Sequence, residues 1–384
     1  MIYRQEGYVL KQIRGLYALL PFGQKIADHQ KGITLNETGT FLWKSLSKPQ
    51  SRETLVEKLA LHYQADTDAH ELLQRDVNNF LKQLLSMGIL REDTRSVSQP
   101  FYGCMRLAGL SVHLYGLQEF FPENFIPFLT EVSTHADMTL EILPIVPVSR
   151  QNGRILLRNK EMTICQWEDG YMVQFPTMKN ILEAYMTKDG SFVRFYCTPH
   201  TKNPESREHL FHAFRLFFLY LAQRKGFYAL HSASILYKGK AWLFSGHSGC
   251  GKSTHTALWH TYADTPYLNG DLNLVGQDKD GNFQVYGIPW CGTSGLFTTE
   301  TCPLGGIVLL EQAKTDFLKP LSEYEKILRV MQRMISPSWT ETFLDCNLDF
   351  AQKLADCIPV YHLACTKNPS AMEVIKKQID AEEV

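Results

Sequence analysis

Apolar and polar residues alternate with different periods along the chain, and the N-terminal part has the pattern of short strands followed by helices. Tyr8–Ile13 and Leu16–Phe22 are apolar runs separated by a two-residue turn, which predicts a β-hairpin. Ile33–Leu35 is a third candidate strand. Asn36 and Ser51 each precede an amphipathic segment and are residue types expected at helix N-caps.

A longer amphipathic helix is predicted over residues 67–87. Its apolar side chains recur at spacings of three and four residues, the period of one helix face: Ala69, Leu73, Val77, Phe80 and Leu84. Gly88 follows as a C-cap residue. Residues 93–100 are polar, carry no periodicity and end in proline, so we predict a linker after a first domain of residues 1–92.

The next part of the chain, residues 101–225, is predicted to be rich in strands. Six segments have the composition of strands: Met105–Leu114, Thr139–Pro144, Arg154–Arg158, Met162–Trp167, Tyr171–Gln174 and Phe192–Cys197. A helix is predicted over residues 207–224. Its most apolar run, Phe211–Ala222, is interrupted by Arg215 and is too short to cross a bilayer, so we expect a buried helix and no membrane span.

Residues 226–384 alternate between strand and helix patterns. Strands are predicted at 229–237, 240–245, 305–311 and 360–364, and helices at 252–260, 321–334, 345–355 and 369–379. This alternation predicts a mixed β-sheet with flanking helices, and the whole chain is expected to be of α+β or α/β class. Asp278–Gly281 has the composition of a hairpin turn.

The amino-acid composition excludes several classes of function but says little more about the fold. The 384 residues contain 39 Lys and Arg against 40 Asp and Glu, a formal net charge of -1, which argues against a protein dedicated to nucleic acid. The nine cysteines show no C-x-x-C spacing, which disfavours structural zinc and dithiol redox chemistry. The scattered cysteines and an N-terminal segment without a signal-peptide core lead us to expect a cytoplasmic protein.

The strongest chemical signal is a glycine-rich segment in residues 241–254, AWLFSGHSGCGKST. Residues 246–253 match G-x-x-x-x-G-K-[ST] at every fixed position, after an apolar strand and before a helix-compatible segment. In such a loop backbone N–H groups turn towards phosphate oxygens, the lysine adds a positive charge and the hydroxyl binds Mg²⁺. The segment therefore predicts a site for nucleotide phosphates and Mg²⁺. The predicted nucleotide-binding residues are Gly246, His247, Ser248, Gly249, Cys250, Gly251, Lys252, Ser253 and Thr254.

Two further residues are candidates for the chemistry, together with Lys252. Asp271, in YLNGDL, is predicted either to bind Mg²⁺ with Ser253 or to accept the proton of an attacking hydroxyl, and a simple turn aspartate is the alternative. His231, in LHSA, is expected either to touch the transferred phosphate or to be a core histidine. Trp290, in PWCGT, would either border a substrate opening or fill the core.

Residues 101–384 resemble the HPr kinase/phosphorylase-like kinases, whose nucleotide-binding core is related to that of phosphoenolpyruvate carboxykinase. The segments LHSASILYKGKAWLFSGHSGCGKST, NGDLNLV, YGIPWCGTSG and PLGGIVLLEQ carry the resemblance. It implies a kinase that uses ATP and Mg²⁺ to phosphorylate a hydroxyl, with Asp271 as the acidic catalytic residue and His231 where these kinases often have a histidine. One departure is Gly270, because the family commonly has two adjacent aspartates at this point.

Residues 1–92 resemble a second family, the PqqD-like peptide chaperones, which are also called precursor-peptide recognition elements. GITLNETGTFLWKSL and LLSMGIL carry this resemblance, and the order of strands and helices agrees with it. It implies a small winged-helix-like domain of three strands and three helices. It also implies that a leader peptide binds as an added strand at the sheet edge, against the third helix.

Together the two resemblances predict a kinase that phosphorylates a serine or threonine of a ribosomally synthesised peptide whose leader is held by residues 1–92. Tethering would raise the effective concentration of the attached core segment at the kinase site. Two alternatives stay open: a nucleotide-gated peptide chaperone that transfers nothing, and a nucleotidyltransferase that acts on the peptide. Relatives of HPr kinase often form oligomers, so a homo-oligomer is a further expectation.

Overall fold

The computed structural model describes residues 2–27, 29–65, 69–92, 99–145, 147, 153–198 and 204–382 of the chain. The described residues fall into two compact units, one within residues 1–98 and 146–152 and one within residues 99–145 and 153–384. Both units combine β-sheet with helices, so the chain is of mixed α+β class, as predicted. Most of the predicted linker, residues 93–98, lies outside the described residues.

In the N-terminal unit, short strands precede three longer helices. Its elements in chain order are β1 (Ile2–Arg4), β2 (Tyr8–Ile13), β3 (Leu16–Pro21), α1 (Gln24–Ala27), β4 (Ile33–Leu35), α2 (Glu37–Ser45), α3 (Arg52–Tyr63), α4 (His70–Ser86) and β5 (Leu90–Glu92). β2, β3 and β4 form an antiparallel sheet with β3 in the centre, and β1 pairs antiparallel with β5. The predicted hairpin and the third strand are confirmed.

Side-chain caps explain where α2 and α3 begin. The Asn36 side chain accepts a hydrogen bond from the backbone N–H of Gly39 at 2.8 Å, and the Ser51 hydroxyl accepts one from the N–H of Thr54 at 3.1 Å. Each cap satisfies a donor that the first helical turn leaves open, which is typically worth about 1 kcal/mol. Both predicted caps are confirmed.

α4 is the predicted third helix, except that positions 67 and 68 lie outside the described part of the chain. Its predicted apolar positions Val77 and Leu84 are fully buried, and Phe80 is half-buried. These side chains belong to the same hydrophobic core as Trp43 of α2, so the periodic face of α4 closes the core of the N-terminal unit.

The second unit begins with a large sheet and one long helix. Its first elements are β6 (Phe101–Leu107), β7 (Leu110–Tyr115), β8 (Leu129–Thr130), β9 (Met138–Leu143), β10 (Arg154–Arg158), β11 (Thr163–Gln166), β12 (Gly170–Gln174), β13 (Ile181–Thr187), β14 (Phe192–Cys197) and α5 (Pro204–Arg224). Among the described residues the strands are ordered β10-β11-β12-β13-β14-β9-β7-β6-β8. β9 runs parallel to its neighbours β14 and β7.

The prediction of one continuous strand over Met105–Leu114 is wrong. β6 and β7 are two antiparallel strands joined at Ala108 and Gly109, whose φ angles are +50° and +79°. A turn with two left-handed residues reverses the chain inside an apolar run, where the single glycine was too weak a signal to predict it. The strand β13 was not predicted.

The remaining elements follow α5. They are β15 (Tyr228–Tyr237), β16 (Lys240–Ser245), α6 (Lys252–Ala263), β17 (Leu272–Gln277), β18 (Phe283–Tyr286), β19 (Thr301–Gln312), β20 (Phe317–Lys319), α7 (Glu323–Met331), α8 (Glu341–Cys357), β21 (Val360–Cys365) and α9 (Pro369–Glu382). The predicted strands and helices of residues 226–384 are present, with shifted ends. Residues 278–281 connect β17 to β18 as the predicted hairpin turn.

Five of these strands close into a ring. β15 pairs with β16 and β17, β18 pairs with β17 and β19, and β16 returns to pair in parallel with β19. β21 and β20 extend the sheet from β19. Because β16 and β19 run in parallel, with Ser245 opposite Leu309, their C-terminal ends lie side by side. Ligands commonly bind at such carboxyl ends.

The helix α5 joins the two parts of the second unit. Phe217 and Phe218 of α5 are fully buried in one hydrophobic core with Phe195 of β14 and with Leu272 and Trp290. Residues on both sides of position 225 therefore share a core, and the predicted boundary there falls inside one compact unit. In the described part of the chain, none of the helices is both long enough and apolar enough to span a bilayer.

Candidate functional site

The glycine-rich loop joins the end of β16 to the start of α6, so strand, loop and helix follow one another as the motif requires. Gly251 precedes α6 with φ +106°, a backbone conformation that favours glycine. Lys252 donates from Nζ to the carbonyl of Gly246 at 3.4 Å, and Gln312 of β19 donates from Nε2 to the carbonyl of Gly249 at 2.9 Å. The loop is held by its own lysine and by the neighbouring parallel strand.

A cavity of about 330 Å³ opens beside the loop. Its walls are loop residues 246–250, residues 309–312 of β19, Arg329 of α7, Arg333 just after α7, and His362 of β21. Two arginines therefore face a loop of the kind that binds phosphates, and the cavity is suited to an anionic ligand.

The carboxylate in this wall is already paired. Glu311 accepts from Nζ of Lys319 at 2.7 Å and lies 2.8 Å from Nε2 of His362. The hydrogen bond from Lys319 lowers the pKa of Glu311. Burial lowers the pKa of His362 and the charge of Arg329 adds to this effect, while Glu311 opposes it. Glu311 thus leaves the arginines of the wall available to a ligand.

His231 and Asp271 meet next to the loop. His231 lies within β15, opposite Leu272, and the N–H of Ser232 donates to the carbonyl of Asp271 at 3.0 Å. His231 Nδ1 is 3.4 Å from Asp271 Oδ1, and the two side chains are 31% and 33% exposed. The predicted histidine and carboxylate are therefore neighbours that solvent and a substrate can reach.

Lys252 lies close enough to this pair for the charges to interact. Burial lowers the pKa of His231, the positive charges of Lys252 and Arg333 lower it further, and Asp271 raises it. The net direction is downward, so the imidazole is neutral at pH 7. The structure brings the three predicted catalytic residues together, and their roles stay predictions.

A buried polar network supports the strand that carries His231. Asn273 donates from Nδ2 to the carbonyl and hydroxyl of Ser232 at 2.7 and 2.9 Å, and Ser234 donates to Asn273 Oδ1 at 2.7 Å. The Ser245 hydroxyl donates to the carbonyl of His231 at 2.6 Å. Because these partners are buried, the backbone at His231 is fixed between β16 and β17.

The loop after β18 packs against the residue that precedes Asp271. A Cβ atom on Gly270 would lie 1.9 Å from the hydroxyl oxygen of Ser294, which itself donates to the carbonyl of Cys291 at 2.7 Å. Glycine is therefore the residue that permits this approach. Trp290 is 1% exposed and packs on α5, so the structure has it in the core and not at a substrate opening.

Sequence reasoning missed Arg215, Arg329 and Arg333. Burial lowers the pKa of Arg215, which the carboxylate of Asp271 opposes, so α5 contributes a charge near the site. An arginine inside the apolar run 211–222 was a signal for such a role, whereas Arg329 and Arg333 belong to no motif. Their contribution depends on how α7 folds back on the loop.

The oxygen donors of the site fit a magnesium ion. The Ser253 residue is exposed at the start of α6, and the Asp271 carboxylate is accessible. Within the described residues no three His, Cys, Asp or Glu side chains form a dedicated metal cluster. Mg²⁺ is usually held by one or two protein carboxylates or hydroxyls together with substrate phosphates and water, so a sparse oxygen set suits it.

Comparison with known proteins identifies the first unit. Residues 19–90 match the family described as coenzyme PQQ synthesis protein D (PqqD). The N-terminal unit is PqqD-like. The PqqD match covers the elements from β3 to α4 and includes the segment that carried the sequence resemblance.

The other comparisons add little. The chain is similar to a solved structure titled "TbiB1 in Complex with the TbiA(beta) Leader Peptide", with 20% identity over 23% of this chain and 93% of that chain and a TM-score of 0.19. No curated protein matches the chain. The resemblance of residues 101–384 to kinases therefore stays a prediction.

Proposed function

We propose that this protein is an ATP- and Mg²⁺-dependent kinase that phosphorylates a serine or threonine hydroxyl of a ribosomally synthesised peptide. In the proposal, the PqqD-like unit holds the leader of that peptide. The observation that carries the proposal is the grouping of Lys252, at the end of a phosphate-binding type of loop, with the neighbouring Asp271 and His231.

Nucleotide binding would use the loop and the start of α6. Backbone N–H groups of such a loop and the N-terminal dipole of α6 favour phosphate oxygens, and Lys252 adds a full charge. Ser253 would hold Mg²⁺, which when bound neutralises phosphate charge, and the Asp271 carboxylate is left for the acceptor hydroxyl. The arginines of the adjoining cavity wall extend the positive region beyond the loop.

Transfer would begin with attack of the acceptor oxygen on the γ-phosphorus. A new O–P bond forms, the bond from the γ-phosphorus to its bridging oxygen breaks, and ADP leaves. Asp271 would orient the hydroxyl and accept its proton. The neutral imidazole of His231 would hold the carboxylate in place by donating a hydrogen bond from Nδ1. Asp271 is the carboxylate that takes the proton in this proposal, because the neighbouring position is occupied by Gly270, which has no side chain.

Leader recognition would use the free edge of the three-stranded sheet. β2 and β4 are the outer strands of that sheet among the described residues. An added strand gains backbone hydrogen bonds at such an edge, and side-chain pockets supply selection. The match to PqqD supports this use of the N-terminal unit in the maturation of a ribosomally made peptide.

The test is incubation of the full chain with Mg-ATP and the precursor peptide encoded beside its gene, followed by mass spectrometry. We expect the mass of one phosphoryl group on the peptide. Lys252→Ala and Asp271→Asn should abolish the product, and Asp271→Asn should still bind ATP. The matched controls Lys377→Ala and Asp356→Asn change exposed residues of α9 and α8 and should be active.

The two alternative functions give different results in this assay. Bound, intact ATP with an unmodified peptide would falsify the kinase proposal, and an effect of ATP on leader affinity would then support the chaperone. The absence of a second acid at Gly270 is the observation that keeps this candidate in view. The mass of a nucleotidyl group on the peptide would identify attack at the α-phosphate.

A further inference from the structure

Arg333 lies between the glycine-rich loop and the strand that carries His231. Its backbone carbonyl accepts a hydrogen bond from the N–H of His231 at 2.8 Å, and its own N–H donates to the carbonyl of Val330 at 2.9 Å. Its guanidinium reaches the loop, with one terminal nitrogen 3.4 Å from Nδ1 and the other 3.3 Å from Nε2 of His247. The backbone is thus anchored beside His231 while the side chain borders the cavity.

The contact with His247 leaves the guanidinium with unused donors. An imidazole has at most one nitrogen that accepts a hydrogen bond, so only one of the two close contacts can be a true hydrogen bond. The Nε atom of Arg333 is buried and has no hydrogen-bond partner among the described residues. A buried donor without a partner is costly, so a rearrangement that gives this guanidinium a better set of acceptors is favourable.

The charge of Arg333 also lacks a counter-charge. Burial lowers the pKa of Arg333; the side chain of Cys250 opposes this and the charge of Arg329 adds to it. In the described part of the chain Arg333 has no ion pair with a carboxylate, and Glu311 in the same wall is paired with Lys319. A guanidinium without an ion pair to a carboxylate, beside a phosphate-binding type of loop, makes binding of an anion favourable.

We propose that Arg333 binds the terminal phosphoryl group of the nucleotide across the cavity from the loop. The inference rests on the proposed function, because it requires a nucleotide on the loop. Arg333 would exchange its contact with His247 for oxygens of the γ-phosphate, which a guanidinium can bind through two parallel hydrogen bonds. It would then read the difference between ATP and ADP and neutralise charge that develops during transfer.

The experiment compares the affinities of ATP and ADP, each with Mg²⁺, for the full chain by isothermal titration calorimetry. The wild-type protein should prefer ATP. Arg333→Gln should weaken ATP binding about tenfold or more, the usual effect of losing a charged hydrogen bond, and leave ADP binding unchanged. Single-turnover transfer at saturating ATP should fall roughly a thousandfold.

Lys326→Ala is the matched control. It removes a positive charge from α7, where Lys326 pairs with Glu323 at 2.7 Å outside the cavity wall, and should alter neither affinity. Arg333→Lys keeps the charge but not the two-pronged geometry. We expect this variant to show an intermediate preference for ATP. If Arg333→Gln does not fold, Arg333→Lys tests whether Arg333 binds the terminal phosphoryl group.

The outcomes separate the inference from the proposed function. An equal loss of ATP and ADP affinity in the Arg333 variants, or no loss, overturns the inference and leaves the kinase proposal intact. A wild-type protein that binds ATP and transfers nothing contradicts the kinase, while a selective loss of ATP affinity in the variant still supports Arg333. A wild-type protein that binds neither nucleotide overturns both.

Discussion

His231 Nδ1 lies 3.4 Å from Asp271 Oδ1; His231 belongs to β15, and Asp271 immediately precedes β17, the strand that pairs with β15. A neutral imidazole next to a carboxylate can orient it without competing for its negative charge. The neutrality depends on burial and on the charges of Lys252 and Arg333, which outweigh the carboxylate. The electrostatics of the pair are therefore set in part by Lys252 and Arg333, which come from other parts of the chain.

This balance predicts opposite shifts in two variants. Asp271→Asn removes the charge that raises the pKa of His231, so the pKa should fall below that of the wild-type protein. Lys252→Met removes a charge that lowers it, so the pKa should rise. Titration of the His231 ring by NMR, assigned with His231→Gln, measures both. Shifts of the same sign in the two variants would show that the histidine does not sense these charges.

Gly270 should be intolerant of a side chain only while Ser294 is present. Gly270→Ala puts a Cβ atom 1.9 Å from the Ser294 hydroxyl oxygen, and we expect the free energy of unfolding to fall by roughly 1–3 kcal/mol through overpacking. Urea denaturation of Gly270→Ala, Ser294→Gly and the double variant checks this. The double variant should recover most of the loss in Gly270→Ala.

The Ser294→Gly variant serves as the control, because it loses the hydrogen bonds with Cys291 and Leu296 and should cost roughly 1–2 kcal/mol. Equal destabilisation of Gly270→Ala with and without Ser294 would contradict the steric explanation. An aspartate at position 270 would meet the same obstacle, since its Cβ atom would have to displace Ser294.

The local features of the fold could be predicted because each depends on neighbours in sequence. Asn36 and Ser51 cap the helices they precede, and the period of Val77 and Leu84 marks the buried face of α4. The glycine-rich loop could also be predicted, because its motif lies within one short segment of the sequence. In each case the physical cause acts within a few residues, so the pattern carries the information.

The remaining features depend on contacts between distant residues. The parallel pairing of β16 with β19 joins Phe244 to Val308, and no local pattern specifies it. Arg333 reaches His247 only because α7 returns to the loop after β20. The reverse turn at Gly109 was hidden inside an apolar run. The walls of the candidate site therefore could not be predicted from the motif that forms its floor.

Acid should destabilise the protein partly through His255 of α6. The residue is 2% exposed, packs on Phe244, and both ring nitrogens lack a hydrogen-bond partner among the described residues. Burial lowers its pKa from 6.5 to about 4, and Asp316 opposes the effect. The unfolded chain therefore binds the proton first, so stability is unaffected above pH 6.5 and falls as the pH drops from 6.5 towards 4.

Through His255 alone, the free energy of unfolding should fall by about 3 kcal/mol between pH 7 and pH 4. In His255→Phe, which keeps an aromatic ring against Phe244, this part of the acid loss should disappear. Urea denaturation of both proteins at the two pH values measures it, and the comparison at pH 7 isolates any change in packing. An acid loss as large in the variant as in the wild-type protein would exclude His255 as the cause.

Leader binding should protect the edge strand β4 from hydrogen exchange. Near Gly39 the side chains of Leu35, at the end of β4, and Phe80 of α4 come together, so this edge is the one beside the third helix. An added strand would form hydrogen bonds with the backbone N–H groups of β4 at the sheet edge and slow their exchange. Hydrogen-exchange mass spectrometry with a synthetic leader peptide should show protection of Ile33–Leu35 and none of Tyr8–Ile13, the opposite edge. The two edges belong to one sheet, so β2 is an internal control for β4. Protection of Tyr8–Ile13 instead of Ile33–Leu35 would place the leader at the β2 edge and contradict the prediction that it binds against α4.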